Sequence, residues 1–265
     1  MIMTNPSATP QHPTQHLPQD PPPIQAGEPA TTPLLDHEHP TLQRLCRTRQ
    51  WRQLPEFARI GAIYDFVRNE IAFGYNRADD LPASEVLADG IGQCNTKATL
   101  FMALLRASGI QCRLHGFTID KRLQRGAITG LAYLLAPRSI LHSWVEVWHD
   151  GQWVNLEGFI LDETYLAGLR RQFPAARAFC GYGVATPNLA QPAVHWEGRA
   201  TYIQKEGIKA DLGLFDTPDD FYQRFGANLS GLKRFLFAHL FRHQMNRNVA
   251  RLRGVAAGAP ARHPL

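Results

Sequence analysis

Three residues have the types and the placement for thiol chemistry. Cys94 follows Gly90-Ile91-Gly92-Gln93 and precedes an apolar run, His142 lies in a β-patterned run, and Glu157 sits across a hairpin from it. A thiol attacks as the thiolate, so a nucleophilic cysteine needs a helix N-terminus or an imidazolium beside it. Both are present here, with a carboxylate placed to orient the imidazole. The trio points to acyl transfer: attack on a carbonyl, a tetrahedral oxyanion and then a thioester. The oxyanion requires fixed donors, for which the backbone N–H of Cys94 is the first candidate and the Gln93 side chain the second.

The elements that must position these residues follow from periodicity. Ala98, Leu100, Phe101, Ala103, Leu104 and Leu105 predict a helix buried on most sides, with Cys94 in its first turn and Gly109 as its stop. A second helix is predicted over 56–70, where Phe57, Ile60, Ile63, Tyr64 and Val67 recur at helical offsets. A short helix starts at Ser84 and ends at Asp89-Gly90. From Ile110 to Ile119 the pattern is that of a strand, and a hairpin follows: Leu141 to Trp148, a turn at Asp150-Gly151, then Trp153 to Leu156. With Asp150 and Gly151 as the loop, Trp148 pairs with Trp153, Glu146 with Asn155 and Trp144 with Glu157. His142 and Glu157 are then diagonal neighbours, about 7–8 Å apart at the backbone. A loop of His149 and Asp150 would put them directly opposite, and in both registers they share a face.

The stretch from Ser84 to Glu157 resembles the transglutaminase-like domain, a branch of the papain-like cysteine-enzyme superfamily. The Gly90, Gly92, Cys94 turn carries the resemblance, with Ala103-Leu104-Leu105-Arg106-Ala107-Ser108-Gly109-Ile110 and Arg113 after it. His142-Ser143-Trp144-Val145-Glu146-Val147 and Gly151-Gln152-Trp153-Val154-Asn155-Leu156 complete it, so that it spans residues 57–159. It implies an α+β fold, a nucleophile helix packed on an antiparallel sheet. It also implies roles: Cys94 as nucleophile, His142 as general base and acid, and the carboxylate after the second strand as the group that orients the histidine.

The family has an aspartate at that third position; here it is Glu157, one methylene longer, with Asn155 and Asp162 as fallback orienters. Phe73 stands where the family's upstream strand carries a tyrosine, and Tyr75 lies nearby. Trp144 is expected at the core or the cleft wall. The function implied is that of a thiol protease, amidase or transamidase acting on a protein or peptide, without a cofactor. The competing reading is a non-catalytic module of the same fold that binds a peptide or protein, with Glu157 marking decay of the triad.

Composition sets the outer bounds. A chain of 265 residues, 44% hydrophobic with a mean hydropathy of -0.27, can bury one sizeable core or two small ones. No stretch approaches the roughly 20 apolar residues of a membrane-spanning helix. The first residues, Met-Ile-Met-Thr-Asn-Pro, lack the basic and apolar regions of a secretion signal. Cys46, Cys94, Cys112 and Cys180 form no CxxC pair, and reduced thiols in a cytoplasmic protein are expected. Cys112 and His115 make a lone CxxH without a second pair, so no metal site is expected, and His115 is the lesser alternative base.

Charge and composition divide the chain. Residues 1–40 are Pro-rich with four acids and no Lys or Arg, so residues 41–265 carry +9, the chain's +5 less the segment's -4. Disorder is expected over 1–40, the transglutaminase-like domain with its extension over 41–230, a basic amphipathic helix over 231–253, and a disordered tail over 254–265. The helix carries Phe237, Phe241, Met245, Val249 and Leu252 in a stripe, with six Lys or Arg and no acid. Docking of the stripe on the body is the favoured reading, binding of an anionic surface the alternative, and nucleic acid the least favoured partner.

Overall fold

The computed structural model describes residues 30–254, so the disorder expected before residue 30 and after 254 lies outside the described residues. The first elements are α1 (Pro40–Arg49), α2 (Glu56–Asn69), the short strand β1 (Ala72–Phe73) and α3 (Ala83–Asp89). Strand β2 (Ile91–Gly92) leads into α4 (Cys94–Ala107), and β1 and β2 pair in parallel. Strand β3 (Cys112–Asp120), helix α5 (Gly130–Leu135) and the hairpin of β4 (Ser139–His149) and β5 (Gln152–Leu156) follow. After them come α6 (Glu163–Gln172), the small hairpin of β6 (Phe179–Gly181) and β7 (Val184–Thr186), β8 (Ile208–Phe215) and α7 (Pro218–Phe225). The described chain ends in one helical run: α8 (Gly231–Leu236), a π turn over Phe237–Phe241, and α9 (Arg242–Arg253).

The architecture is α+β. Strands β5, β4, β3 and β8, in that order, form a four-stranded antiparallel sheet, and α4 packs against β4 and β3 with α1, α2 and α3 around it. Every residue of α4 except Arg106 is buried. A helix with no polar face belongs in the middle of a core, which is why the sequence places this one there. Its start is fixed locally, because the Gln93 backbone N–H donates to Thr96 Oγ1 at 3.1 Å. At its far end Gly109 has φ +78°, the left-handed conformation expected of the stop.

The hairpin adopts the register drawn from Asp150-Gly151. Both turn residues have positive φ, 49° and 76°, and Glu146 pairs with Asn155 and Trp148 with Trp153. The ladder ends at Val145 and Leu156, so Glu157 leaves the strand just after it.

One expectation about organisation needs correction. Order begins before residue 41: Leu35 is fully buried, and the Leu34 carbonyl accepts the Ala83 N–H at 2.9 Å. The Asp36 carboxylate accepts the Ser84 N–H at 3.1 Å, in the first turn of α3. One apolar pair and one acid at the right place therefore anchor the end of the Pro-rich segment. Beyond residue 160, the extension supplies α6, α7 and the edge strand β8. Along β8 Ile208, Ala210, Leu212 and Leu214 alternate with Lys209, Asp211 and Gly213, and the strand lies at the edge of the sheet.

The C-terminal helical run divides at its π turn. Met245 and Val249 of α9 are buried, and Asn246 exchanges two hydrogen bonds with the backbone of Tyr75, at 2.7 and 3.0 Å. Arg253 pairs with Asp162 and lies over the Tyr165 ring, 5.3 Å from its centroid. Packing is close enough that a Cβ on Gly168 would meet the Leu252 carbonyl oxygen at 2.0 Å. In α8 and the turn, by contrast, Leu232, Phe235 and Leu240 are exposed. Among the described residues no helix is long and apolar enough to cross a membrane.

Candidate active site

Cys94 is the first residue of α4, where the backbone N–H groups have no intrahelical acceptors. The turn before it is tight for steric reasons. Gly90 ends α3 with φ +63°, and a Cβ on Gly92 would lie 2.7 Å from Lys97 Cγ and 2.9 Å from Thr96 Oγ1. Both glycines of the motif thus have a physical cause.

Two residues next to the nucleophile, neither singled out from the sequence, lock it to its partners. Asn95 donates through Nδ2 to the Leu141 carbonyl at 3.0 Å and accepts the Ser143 hydroxyl at 3.0 Å, gripping the two residues that flank His142. Lys97 is fully buried, and its ammonium donates to the carbonyls of Ile71 at 2.8 Å, Ile160 at 2.9 Å and Arg68 at 3.3 Å. Burial pushes its pKa well below the usual lysine value. The contact to Ile160 ties α4 to the segment just after Glu157. The available signal was a solitary lysine in an otherwise apolar helix.

His142 and Glu157 are both fully buried, with His142 Nε2 2.8 Å from Glu157 Oε1. The other ring nitrogen, Nδ1, has no hydrogen-bond partner of standard geometry among the described residues, and the charge of Cys94 acts on the ring. Burial by itself lowers the histidine pKa. The charge of Cys94, followed by the hydrogen bond and charge of Glu157, outweighs it and raises the value to about 9.

Glu157 has a second set of partners that the sequence did not disclose. Its Oε2 accepts the backbone N–H groups of Ile203 at 2.8 Å, Gln204 at 2.9 Å and Lys205 at 3.1 Å. Its own N–H donates to the Thr201 carbonyl at 3.0 Å. The longer side chain therefore spans from the imidazole to a nest of three amides, and each carboxylate oxygen has a separate task.

The fallback groups are engaged elsewhere. Asn155 accepts the Trp144 indole N–H at 3.1 Å and donates to the Tyr202 hydroxyl at 3.1 Å. Asp162 caps α6 through the Tyr165 N–H at 2.9 Å and accepts the Phe73 N–H at 2.8 Å. Burial opposes its ionisation, but the hydrogen bond and charge of Arg253 prevail and hold the carboxyl well below the usual range. His115 lies between Glu146, at 2.7 Å, and Asp211, at 3.0 Å. Among the described residues no group of three or more His, Cys, Asp or Glu is arranged to hold a metal.

Gln93 is engaged away from the oxyanion position considered for it, and of the two places expected for Trp144, core or cleft wall, the structure gives the buried one. Gln93 accepts the Asn76 N–H at 3.0 Å, and its amide donates to the Ala78 carbonyl at 3.3 Å and Asp79 Oδ1 at 2.9 Å. Both amide hydrogens are thus committed to the loop over 76–79, and the backbone N–H of Cys94 is left as the oxyanion candidate. Trp144 is buried rather than on the cleft: its ring lies 4.0 Å from that of Phe117 and packs edge-on to His142 at 6.4 Å. It backs the imidazole from the core side.

Of the two aromatic residues, Tyr75 and not Phe73 lines the cleft with the nucleophile. Phe73 packs into the rings of Tyr165 and Tyr75, whereas Tyr75 lines the cleft with Cys94 and donates its hydroxyl to Gln124 Oε1 at 2.5 Å. Burial, and then the charge of Cys94, push the Tyr75 pKa up. The phenol is therefore a neutral group beside the sulfur.

Cys94 is 7% exposed and opens into a cleft bounded by the loop over 76–80, residues 136–141 and the C-terminal helical run. Residues 46–158 match the family model of the transglutaminase-like superfamily. Among solved structures, a Cytophaga hutchinsonii protein named as a candidate cysteine protease is 18% identical, with a TM-score of 0.37 over 50% of this chain and 41% of that one. No curated protein matches the chain.

Proposed function

Residues 46–158 form a transglutaminase-like domain, and from that premise we propose that the protein is a cysteine-dependent acyl-transfer enzyme that cleaves or exchanges an amide or isopeptide bond of a protein or peptide. One observation supports the reading: a thiol at a helix N-terminus opens on the cleft and acts by its charge on a buried imidazole, which lies 2.8 Å from a buried carboxylate. Cys94, as thiolate beside the imidazolium of His142, attacks the carbonyl carbon. The oxyanion forms against the helix N-terminus and the Cys94 N–H. His142 gives its proton to the leaving amine, a thioester remains on Cys94, and water or a second amine takes the acyl group. Glu157 keeps the ring in the tautomer and orientation this exchange needs.

Alkylation separates activation from mere access. Cys46 and Cys112 are buried, and burial pushes both thiols up; Cys180 is exposed and its thiol is also raised by desolvation. Iodoacetamide at pH 6.5 should therefore modify Cys94 at least about ten times faster than the more accessible Cys180, since only the thiolate reacts. Labelling led by Cys180, with Cys94 slow, would instead favour a binding module of the same fold.

A further inference from the structure

The cleft that ends at Cys94 has contents that select its occupant, and the inference rests on the thiol chemistry proposed above. One wall is apolar: Ile140 and Leu141 of β4 face Leu236, Phe237, Phe241 and Met245 of the C-terminal helical run. Of the acids that line the cleft, Asp79 is held by neutral amides and Asp80 by a cation. Asp79 accepts Gln93 Nε2 at 2.9 Å and Asn228 Nδ2 at 2.7 Å, and Asp80 pairs with Arg234 at 2.9 Å. Arg77, at the rim, pairs with Glu85. The cation left over is Lys233, which is exposed at the mouth. A charged acyl group drawn down to the sulfur would lose hydration, and the described acids of the lining already hold donors, Asp79 two neutral amides and Asp80 the Arg234 guanidinium. An apolar group would bury itself against six apolar side chains.

We propose that the acyl donor carries an extended apolar group, alkyl or aromatic, on its carbonyl, seated between β4 and the C-terminal helical run with the carbonyl carbon at Cys94 Sγ. The helical run then acts as a wall of the acyl site. The split at the π turn fits this: α9 anchors the run to the body, and Phe237 and Phe241 are presented to the cleft from the turn itself.

The test uses the full chain and p-nitrophenyl esters of acetate, butyrate, hexanoate and succinate. The Cys94 thiolate forms a C–S bond to the carbonyl carbon, the C–O bond breaks, and p-nitrophenolate leaves with its electron pair. Water later returns the carboxylic acid and the thiol. Acylation rates are followed by phenolate release, assigned to Cys94 by intact mass with Cys94→Ser as background, and divided by the rates of the same esters with glutathione. The normalised rate should rise about two- to fourfold per added methylene, and the succinate should fall below the butyrate. Phe241→Asp should abolish the gain with chain length. If acetate and hexanoate acylate Cys94 at equal normalised rates, the apolar class is wrong while the thiol reading stands. If no ester acylates Cys94, both fall.

Discussion

Exchange of His142 for alanine is expected to slow acyl transfer through Cys94 on the order of 10⁴-fold. The imidazole is the acid, the base and the counter-charge of the thiolate in one residue, and it is buried where water cannot substitute for it. Its pKa gives the reaction an alkaline limit. The histidine is raised from the usual 6.5 to about 9: burial works against this, and the charge of Cys94 and the hydrogen bond and charge of Glu157 prevail. The protonated ring therefore persists across neutral pH, and the rate should fall as pH passes about 9, when the leaving amine loses its proton donor. The sign for stability is the same. A histidine with a raised folded-state pKa stabilises the fold fully below its unfolded value and loses that contribution as pH rises through about 9. Rates and thermal melts over pH 5.5–10.5 check both, and an activity limit near 7 would contradict the account.

Glu157→Gln is expected to cost about 10³- to 10⁴-fold in the same reaction. Each carboxylate oxygen is an acceptor, Oε1 from His142 and Oε2 from three backbone amides. A glutamine has only one such oxygen. If that oxygen stays in the nest, the amide N–H points at Nε2 and forces it to accept, which moves the ring proton to Nδ1, the nitrogen that must receive the thiol proton. Glu157→Asp, although it restores the residue the family resemblance implies, is expected to lower the rate about 100-fold. A shorter side chain reaches the imidazole or the nest, not both. An aspartate variant as fast as the natural protein would mean that the nest has no part in holding the ring.

The parts of the site that were legible in the sequence are those written in local signals. The glycine turn marks the start of α4, and Asp150-Gly151 sets the hairpin register that brings His142 toward Glu157. What escaped was recognition by backbone. The donors to Glu157 Oε2 come from Ile203 to Lys205, more than 40 positions away, and the acceptors of Lys97 are carbonyls. Every residue carries an N–H and a C=O, so no side-chain type advertises such a partner. The same limit explains Gln93, which looked free as a donor until the loop over 76–79 closed on it. Strand β8 is different: Ile208, Ala210, Leu212 and Leu214 alternate with Lys209, Asp211 and Gly213 along the open edge, so its strand signal is present in the sequence.

The most direct test of the account is to trap the intermediate. The full chain is incubated with a mixture of peptide amides, quenched in acid and digested, and the Cys94 peptide is examined by mass spectrometry. The account predicts an adduct on Cys94 equal in mass to the acyl donor less its amine, lost in hydroxylamine and absent from His142→Ala. Adducts on Cys180 but not Cys94, or a Cys94 peptide that stays unmodified while iodoacetamide labels it rapidly, would contradict it.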